Sequence, residues 1–335
     1  MKTFQTLAFM ALFSAAQAQA APAFSQLFVF GDSLSDNGND FLALGGHTVT
    51  TPPFTSLVPS APYASGTFSN GPVWVNFIDQ ALTGGTVSAS LAGGTNFAFG
   101  GATTGPLAGV PASGIPTLTQ QADAALALNG GHLPSTALYV VWGGGNDVRA
   151  AEFAAGANPN ATQLAAAGQI VAGGVTNLHN IITALANAGA QHFLVPNVAN
   201  VGLTPEALSF GLGSTGATLT SQFDVSLAQQ LPQLASSLHV GITAVDIFSI
   251  VNNEHDHPGT FGLTNVTAAC TQQNSGLGCA TPDQFLFWDG IHPTSLQHQG
   301  IAAVFSSALA VPLPAAVWLL GSALGGLSFA RRRAA

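Results

Sequence analysis

Two short stretches at opposite ends of the chain hold residue types that could do nucleophilic chemistry together. FGDSLSDNG, residues 30–38, sets Ser33 between Asp32 and Asp36, directly after the apolar run QLFVF. FWDGIHPT, residues 287–294, sets Asp289 three residues before His292 in a loop that ends on Pro293. A serine hydroxyl is a poor nucleophile at neutral pH. It needs a base within hydrogen-bond reach, and the base needs an orienting group. A D-x-x-H turn can lay the carboxylate against one ring nitrogen and leave the other facing outward. Taken singly, each stretch has an ordinary reading: a serine that caps a helix, and a surface turn.

Acyl transfer also needs donors aimed at the developing oxyanion. Three candidates stand in the sequence. They are the backbone N–H of Ser33, that of Gly101 in GGATTG (residues 100–105), and the side-chain amide of Asn146 in GGGNDVR (residues 143–149). Alone, Asn146 reads as a turn residue or a cap. Most of the nine histidines suit plain structural roles: His179 and His192 fall in helix or strand patterns, and His132 in a Gly-rich loop. NEHDHP brings Glu254, His255, Asp256 and His257 together, but without clear metal-ligand spacing and in an expected Pro/Gly loop. No metal or organic cofactor is expected.

The elements that would position these residues follow from apolar patterning. Short β-rich runs at 26–30, 95–99, 137–142, 192–196 and 242–247 alternate with helical patterns at 118–128, 161–188, 217–238 and 295–308. Gly173-Gly174 and Pro232 are points where two of those helices could break or kink. Alternating strand and helix predicts a parallel sheet covered on both faces, with ligands beyond the strand carboxyl ends. The serine loop, GGATTG and GGGNDVR each follow a predicted strand, so all three fall on that side. The serine stretch is not the G-x-S-x-G elbow of α/β-hydrolases, because Ser35 stands where the second glycine would.

Composition narrows the function further. The chain has 335 residues and a net charge of −9. Of five basic residues, Lys2 and Arg331 to Arg333 lie at the extreme ends, so Arg149 alone faces all 14 acids in between. Such a surface repels nucleic acid and anionic membranes, and few groups remain to grip phosphate. Neutral or cationic substrates fit better. Arg149 itself reads as the structural partner of a nearby acid. Residues 1–20 pair Lys2 with an apolar run and end in AQAQA, the pattern of a secretory signal peptide. In an exported protein, Cys270 and Cys279 read as one disulfide closing a Gly-rich loop. Residues 21–310 read as one domain. Residues 311–335 hold VPLPA, an uncharged stretch 315–330 and three arginines. That stretch reaches ~24 Å as a helix, slightly short of a hydrocarbon core. The tail resembles the bacterial PEP-CTERM sorting signal in its VPLPA variant. That resemblance implies an exosortase-type partner and transient or tail-mediated membrane contact.

FGDSLSDNGN, NFAFGGATT, WGGGND and FWDGIHPT, in this order, resemble the four blocks of the GDSL/SGNH hydrolases. GTFSNGPVW (residues 66–74) and FGLTNVTAAC resemble the lipase/esterase branch. The resemblance implies a flavodoxin-like three-layer α/β/α sandwich with a five-stranded parallel sheet. It implies a secreted esterase or lipase that acts on ester or lipid substrates through an acyl-enzyme, with Ser33 as nucleophile, His292 as base and Asp289 as its orienter. The oxyanion would sit among Ser33, Gly101 and Asn146, with Gly100 as the alternative to Gly101. An acyltransferase of the same family, and a surface-displayed binding protein on an inactive scaffold, are the other readings. The expected location is periplasmic, cell-surface or extracellular.

Overall fold

The structure, a computed structural model, describes residues 24–45, 63–64, 66–107, 114–271 and 278–309. The expected signal peptide (1–20) and sorting tail (311–335) lie outside the described residues. In chain order the elements are β1 (Leu27–Gly31), α1 (Asn39–Ala43), α2 (Trp74–Thr83), α3 (Leu118–Leu128), β2 (Leu138–Trp142), α4 (Gly145–Ala155), α5 (Ala161–Asn187), β3 (His192–Pro196), α6 (Pro205–Ser209), α7 (Gly213–Leu238), β4 (Gly241–Val245), α8 (Ile247–Asp256), β5 (Asn265–Ala269), β6 (Phe285–Phe287) and α9 (Ser295–Ala308).

β1 to β4 form a parallel sheet in the order β1-β2-β3-β4. Side chains alternate strictly across it. Phe28, Phe30, Tyr139, Val141, Phe193 and Val195 pack into one core with α3, α4, α5 and α7. Leu27, Val29, Leu138, Val140, Trp142 and Leu194 pack into a second with α2, α8 and α9. Near-continuous apolar strands are what a sheet covered on both faces requires. The result is three layers, helix on sheet on helix.

The predicted strand at 95–99 is not a regular strand. It runs beside the free edge of β1, where Val29 N donates to Thr95 O (3.0 Å) and Phe97 N to Val29 O (2.8 Å), but forms only isolated bridges. On the side that faces β1, side chains take the groups a longer ladder would use: Gly31 N donates to Gln121 Oε1 (2.9 Å) rather than to Phe97 O, and Leu27 O accepts the Thr95 hydroxyl (2.6 Å). On the other side Asn39 Nδ2 donates to the carbonyls of Asn96 (2.8 Å) and Ala98 (2.9 Å), and Ala98 N donates to Asn96 Oδ1 (3.0 Å). Counting this segment, the spatial order of the five runs is 2-1-3-4-5, whose switch point lies between β1 and β2.

Helices α3, α5, α7 and α9 match the periodic patterns closely, whereas α1, α2, α4 and α6 were not expected, and α4 begins inside the GGGNDVR stretch read as a loop. α3 and α5 open on capping boxes, Thr117 with Gln120 and Asn160 with Gln163. Neither expected break occurs. α7 continues through Pro232. In α5, a Cβ on Gly174 would meet Phe223 of α7 at 2.8 Å, so the glycine permits close helix packing. α8 was missed as a helix: Glu254, His255 and Asp256 form its last turn rather than a Pro/Gly loop, with Asp246 capping its start. A small parallel pair, β5 with β6, stands apart from the main sheet. The Cys270–Cys279 disulfide ties the end of β5 to the chain that leads into β6.

Candidate active site

β1 ends at Gly31, whose backbone is gripped on both sides by the buried Gln121 of α3: Gly31 N donates to Oε1 and Nε2 donates to Gly31 O, each at 2.9 Å. The chain then makes one tight turn. Ser35 N and Asp36 N both donate to Asp32 O (3.0 Å each), and Leu34 N donates to Asp32 Oδ1 (3.0 Å). Ser33 is thereby raised at the carboxyl end of β1, beside the switch point. Burial pushes the Asp32 carboxyl up to about 6, although the Leu34 N–H and the His292 ring pull it the other way.

The other end of the chain meets it there. Asp289 Oδ1 accepts the N–H groups of Ile291 (2.8 Å) and His292 (2.6 Å), which closes the D-x-x-H turn. His292 Nδ1 lies 2.7 Å from Asp289 Oδ2, and His292 Nε2 lies 2.8 Å from Ser33 Oγ. With Nδ1–H donating to Asp289, Nε2 is left as the acceptor for the serine hydroxyl. Burial alone would raise the Asp289 carboxyl. The facing His292 ring, the Tyr63 hydroxyl (2.6 Å from Oδ2) and the backbone donors outweigh it and hold the carboxyl below its ordinary value. Residues 66–74 explain themselves here. Phe68 packs on the His292 ring (centroids 5.3 Å apart), Ser69 Oγ donates to Pro293 O (2.9 Å), and Asn70 Oδ1 accepts Ser295 N (2.8 Å). His298, buried in α9 beside them, is pushed down to about 3 by burial and by His292, so it adds no charge behind the ring.

The backbone N–H groups of Ser33 and Gly101 have no acceptor among the described residues. Gly100 differs: its N–H donates to Asp36 Oδ2 (3.2 Å), and a Cβ there would lie 2.2 Å from Phe68. Of the two glycines, Gly101 therefore has the free donor. Its φ of +75° puts it in the left-handed region, where glycine is at ease. Asn146, in the first turn of α4, donates from Nδ2 to Ala102 O (2.9 Å), which leaves its second amide proton open. The neighbouring Asp147 anchors both pieces, because its carboxylate accepts the N–H (2.9 Å) and hydroxyl (2.7 Å) of Thr104. The structure thus gathers Ser33, Asp289, His292 and Asn146 with the Gly101 loop at one sheet edge.

Several supporting residues were not anticipated from sequence: Tyr63, Phe68, Asn96, Gln121 and Asp147, and the reach of Asp36. Asp36 accepts the N–H groups of Gly38, Asn39, Asp40 and Gly100, so one carboxylate joins the serine loop to the glycine loop. Burial and the nearby Asp36 raise the Asp40 carboxyl to about 8. The available signal was the density of Asp and Asn in residues 32–40, more than one turn uses. Arg149 pairs with Glu206, donating from its guanidinium to both carboxylate oxygens, the longer contact at 2.7 Å. This is the structural partnership expected of it. His255 meets only Asp256 (3.0 Å), and the described residues hold no group of three or more potential metal ligands.

Residues 27–305 match the family described as GDSL-like Lipase/Acylhydrolase. The chain is 35% identical over 198 residues to "Lipase 1" of Photorhabdus luminescens, covering 59% of this chain and 26% of that protein. It is 28% identical over 329 residues to "Esterase EstA" of Pseudomonas aeruginosa, covering 88% of this chain and 48% of that protein. The chain therefore spans less than half the length of either of these relatives. The solved extracellular lipase of Streptomyces rimosus aligns over 85% of this chain and 99% of its own, with a TM-score of 0.44 and 13% identity.

Proposed function

The chain belongs to the GDSL-like lipase/acylhydrolase family, and from that premise we propose that it is an exported serine carboxylic ester hydrolase working through an acyl-enzyme. One observation carries this: an unbroken hydrogen-bonded line runs from Tyr63 through Asp289 and His292 to Ser33. Ser33 Oγ attacks the ester carbonyl as His292 Nε2 takes its proton, and Asp289 stabilises the imidazolium. The carbonyl oxygen becomes an oxyanion that the N–H groups of Ser33 and Gly101 and the amide of Asn146 receive. The tetrahedral intermediate collapses, the C–O bond to the alcohol breaks, and His292 returns the proton to that oxygen. Water then enters, gives its proton to His292 and releases the acid, restoring the Ser33 hydroxyl. No step calls on a metal or an organic cofactor.

The substrate we assign is a neutral or zwitterionic ester, including lipid esters. The names of the relatives, a lipase and an esterase, support that class, and the acid-rich, arginine-poor surface argues against strongly anionic ones. Export is part of the same proposal. The leader pattern of residues 1–20 supports it, and so does the Cys270–Cys279 disulfide, a bond typical of oxidising compartments. We assign residues 311–335 the role of a sorting signal read by an exosortase-type enzyme. The test of the chemistry is Ser33→Ala on p-nitrophenyl butyrate. The expected result is a fall in kcat of at least ~10⁴-fold with an unchanged circular dichroism spectrum. Undiminished turnover rules out this nucleophile.

A further inference from the structure

Ser33, Asn146 and His292 open onto a cavity of 310 Å³. Beyond them two facing rows of its wall are supplied by helices that both begin at the site, the rest by the segment 198–204 and by residues around Arg149 and Phe287. α8 starts two residues past the carboxyl end of β4, and α9 starts three residues past His292. The wall residues are Ile247, Ile250, Val251 and Glu254 on α8, and Gln297, Gly300, Ile301 and Val304 on α9. Each set follows the spacing i, i+3, i+4, i+7, which is one face of a helix over two turns. Each row therefore leads away from Ser33 for ~10 Å. Between the polar Gln297 near the site and Glu254 at the far end, these two helix faces are aliphatic, while Arg149, Asn200 and Thr204 add polar groups to the rest of the lining.

One residue in this cleft is smaller than a helix would choose. Glycine in a helix interior is less favourable than alanine by about 1 kcal/mol. The helical Gly174 is justified by a neighbour in contact, whereas Gly173 beside it is exposed and has none. Gly300 has no such neighbour: a Cβ there would meet nothing within 4 Å. It faces open space in the cleft.

We propose that the cleft between α8 and α9 is the acyl-chain subsite, and that it takes a straight, saturated acyl group of medium length. The assignment rests on the ester-hydrolase reading and adds which half of the ester is recognised. At C–C bond lengths of about 1.5 Å, ~10 Å holds roughly six to ten carbons. Glu254 sets the limit, since a longer chain would press its methyl end against a carboxyl group. The acyl group is the half that stays bound to Ser33 while water enters. A pocket that opens directly on Ser33 and carries two aliphatic helix faces suits that half better than the alcohol, which must leave.

The experiment compares kcat/KM across p-nitrophenyl esters from acetate to palmitate, and across alkyl acetates of rising alcohol length. For the wild type the acyl series rises up to threefold or fourfold per methylene, the value of about 0.8 kcal/mol per buried CH₂. It peaks near eight carbons and falls by palmitate. Gly300→Leu fills the cleft with a good helix former, and the octanoate-to-acetate ratio drops at least tenfold. Val304→Trp, on the next turn, does the same, and Glu254→Leu moves the optimum to longer chains. An octanoate-to-acetate ratio unchanged in both filling variants overturns the assignment. So does a change that tracks the alcohol series instead. Turnover of no ester by the wild type overturns the hydrolase reading itself, and this assignment with it.

Discussion

At the scale of residues, Asp289 shows how a local motif becomes a tuned group. Its Oδ1 is occupied by two backbone N–H groups of its own turn, and its Oδ2 by His292 and the Tyr63 hydroxyl. Four donors keep a fully buried carboxylate charged, and a charged carboxylate is what the imidazolium needs. Asn146 is placed with similar economy, one amide proton spent on Ala102 O and one free. Asn146→Ala is expected to lower kcat by about 10²–10³-fold with little change in KM, because the donor acts on the oxyanion rather than on the bound ester. Steady-state kinetics on p-nitrophenyl butyrate check this, and a rise in KM alone would place Asn146 in ground-state binding instead. Ser33, Asp289, His292 and Asn146 were legible in the sequence because each lies in a short stretch with its own chemical logic. Tyr63, Phe68 and Gln121 were not. Each is an ordinary residue made useful only by a partner at |i−j| of 226, 224 and 90 positions, a separation no local pattern encodes.

At the scale of elements, the loop that carries Asp289 and His292 is held from several sides. β6 enters it, β5 pairs with β6, and the disulfide joins β5 to the approach. Thr271 N donates to Trp288 O (2.9 Å), and Glu206 N to Gly290 O (2.9 Å). A disulfide closing so short a loop is worth about 2–3 kcal/mol. Cys270→Ser with Cys279→Ser is therefore expected to lower Tm by several degrees, as followed by calorimetry. An unchanged Tm would mean that the β5–β6 pairing and the backbone contacts suffice. Helices α3, α5, α7 and α9 and four of the five expected strands were readable because apolar period and burial agree at those positions. The segment at 95–99 failed for a definable reason: the side chains of Gln121 and Thr95 take the Gly31 N–H and the Leu27 carbonyl that a longer ladder would use. α8 was hidden because Glu254, His255 and Asp256 resemble loop composition, while its apolar face lies against the cleft.

At the scale of the whole molecule, the feature that stands out is the number of buried acids with almost no cations to meet them. Burial raises Asp32 to about 6, Asp224 to about 7 and Glu152 to about 8, against ordinary values of 3.8 for Asp and 4.5 for Glu. A carboxyl with a folded pKa above its unfolded one binds more protons when folded, so stability falls as pH rises through that window. His298 works in the opposite sense: held neutral in the fold, it favours unfolding as pH falls below its ordinary value of 6.5. Asp289, with its lowered pKa, likewise loses its stabilising contribution in acid. Together these place maximal stability in mild acid. Tm is expected to be higher at about pH 5.5 than at about pH 8.5, and a flat or rising profile across that interval would show that these carboxyls are not buried as described.

The central claim is that Ser33 becomes acylated because His292 activates it. The direct test is labelling with a fluorophosphonate probe, followed by peptide mass mapping. The account predicts a single adduct on Ser33 in the wild type, and labelling that collapses in His292→Ala. An adduct on another residue, or labelling at full rate without His292, would contradict it.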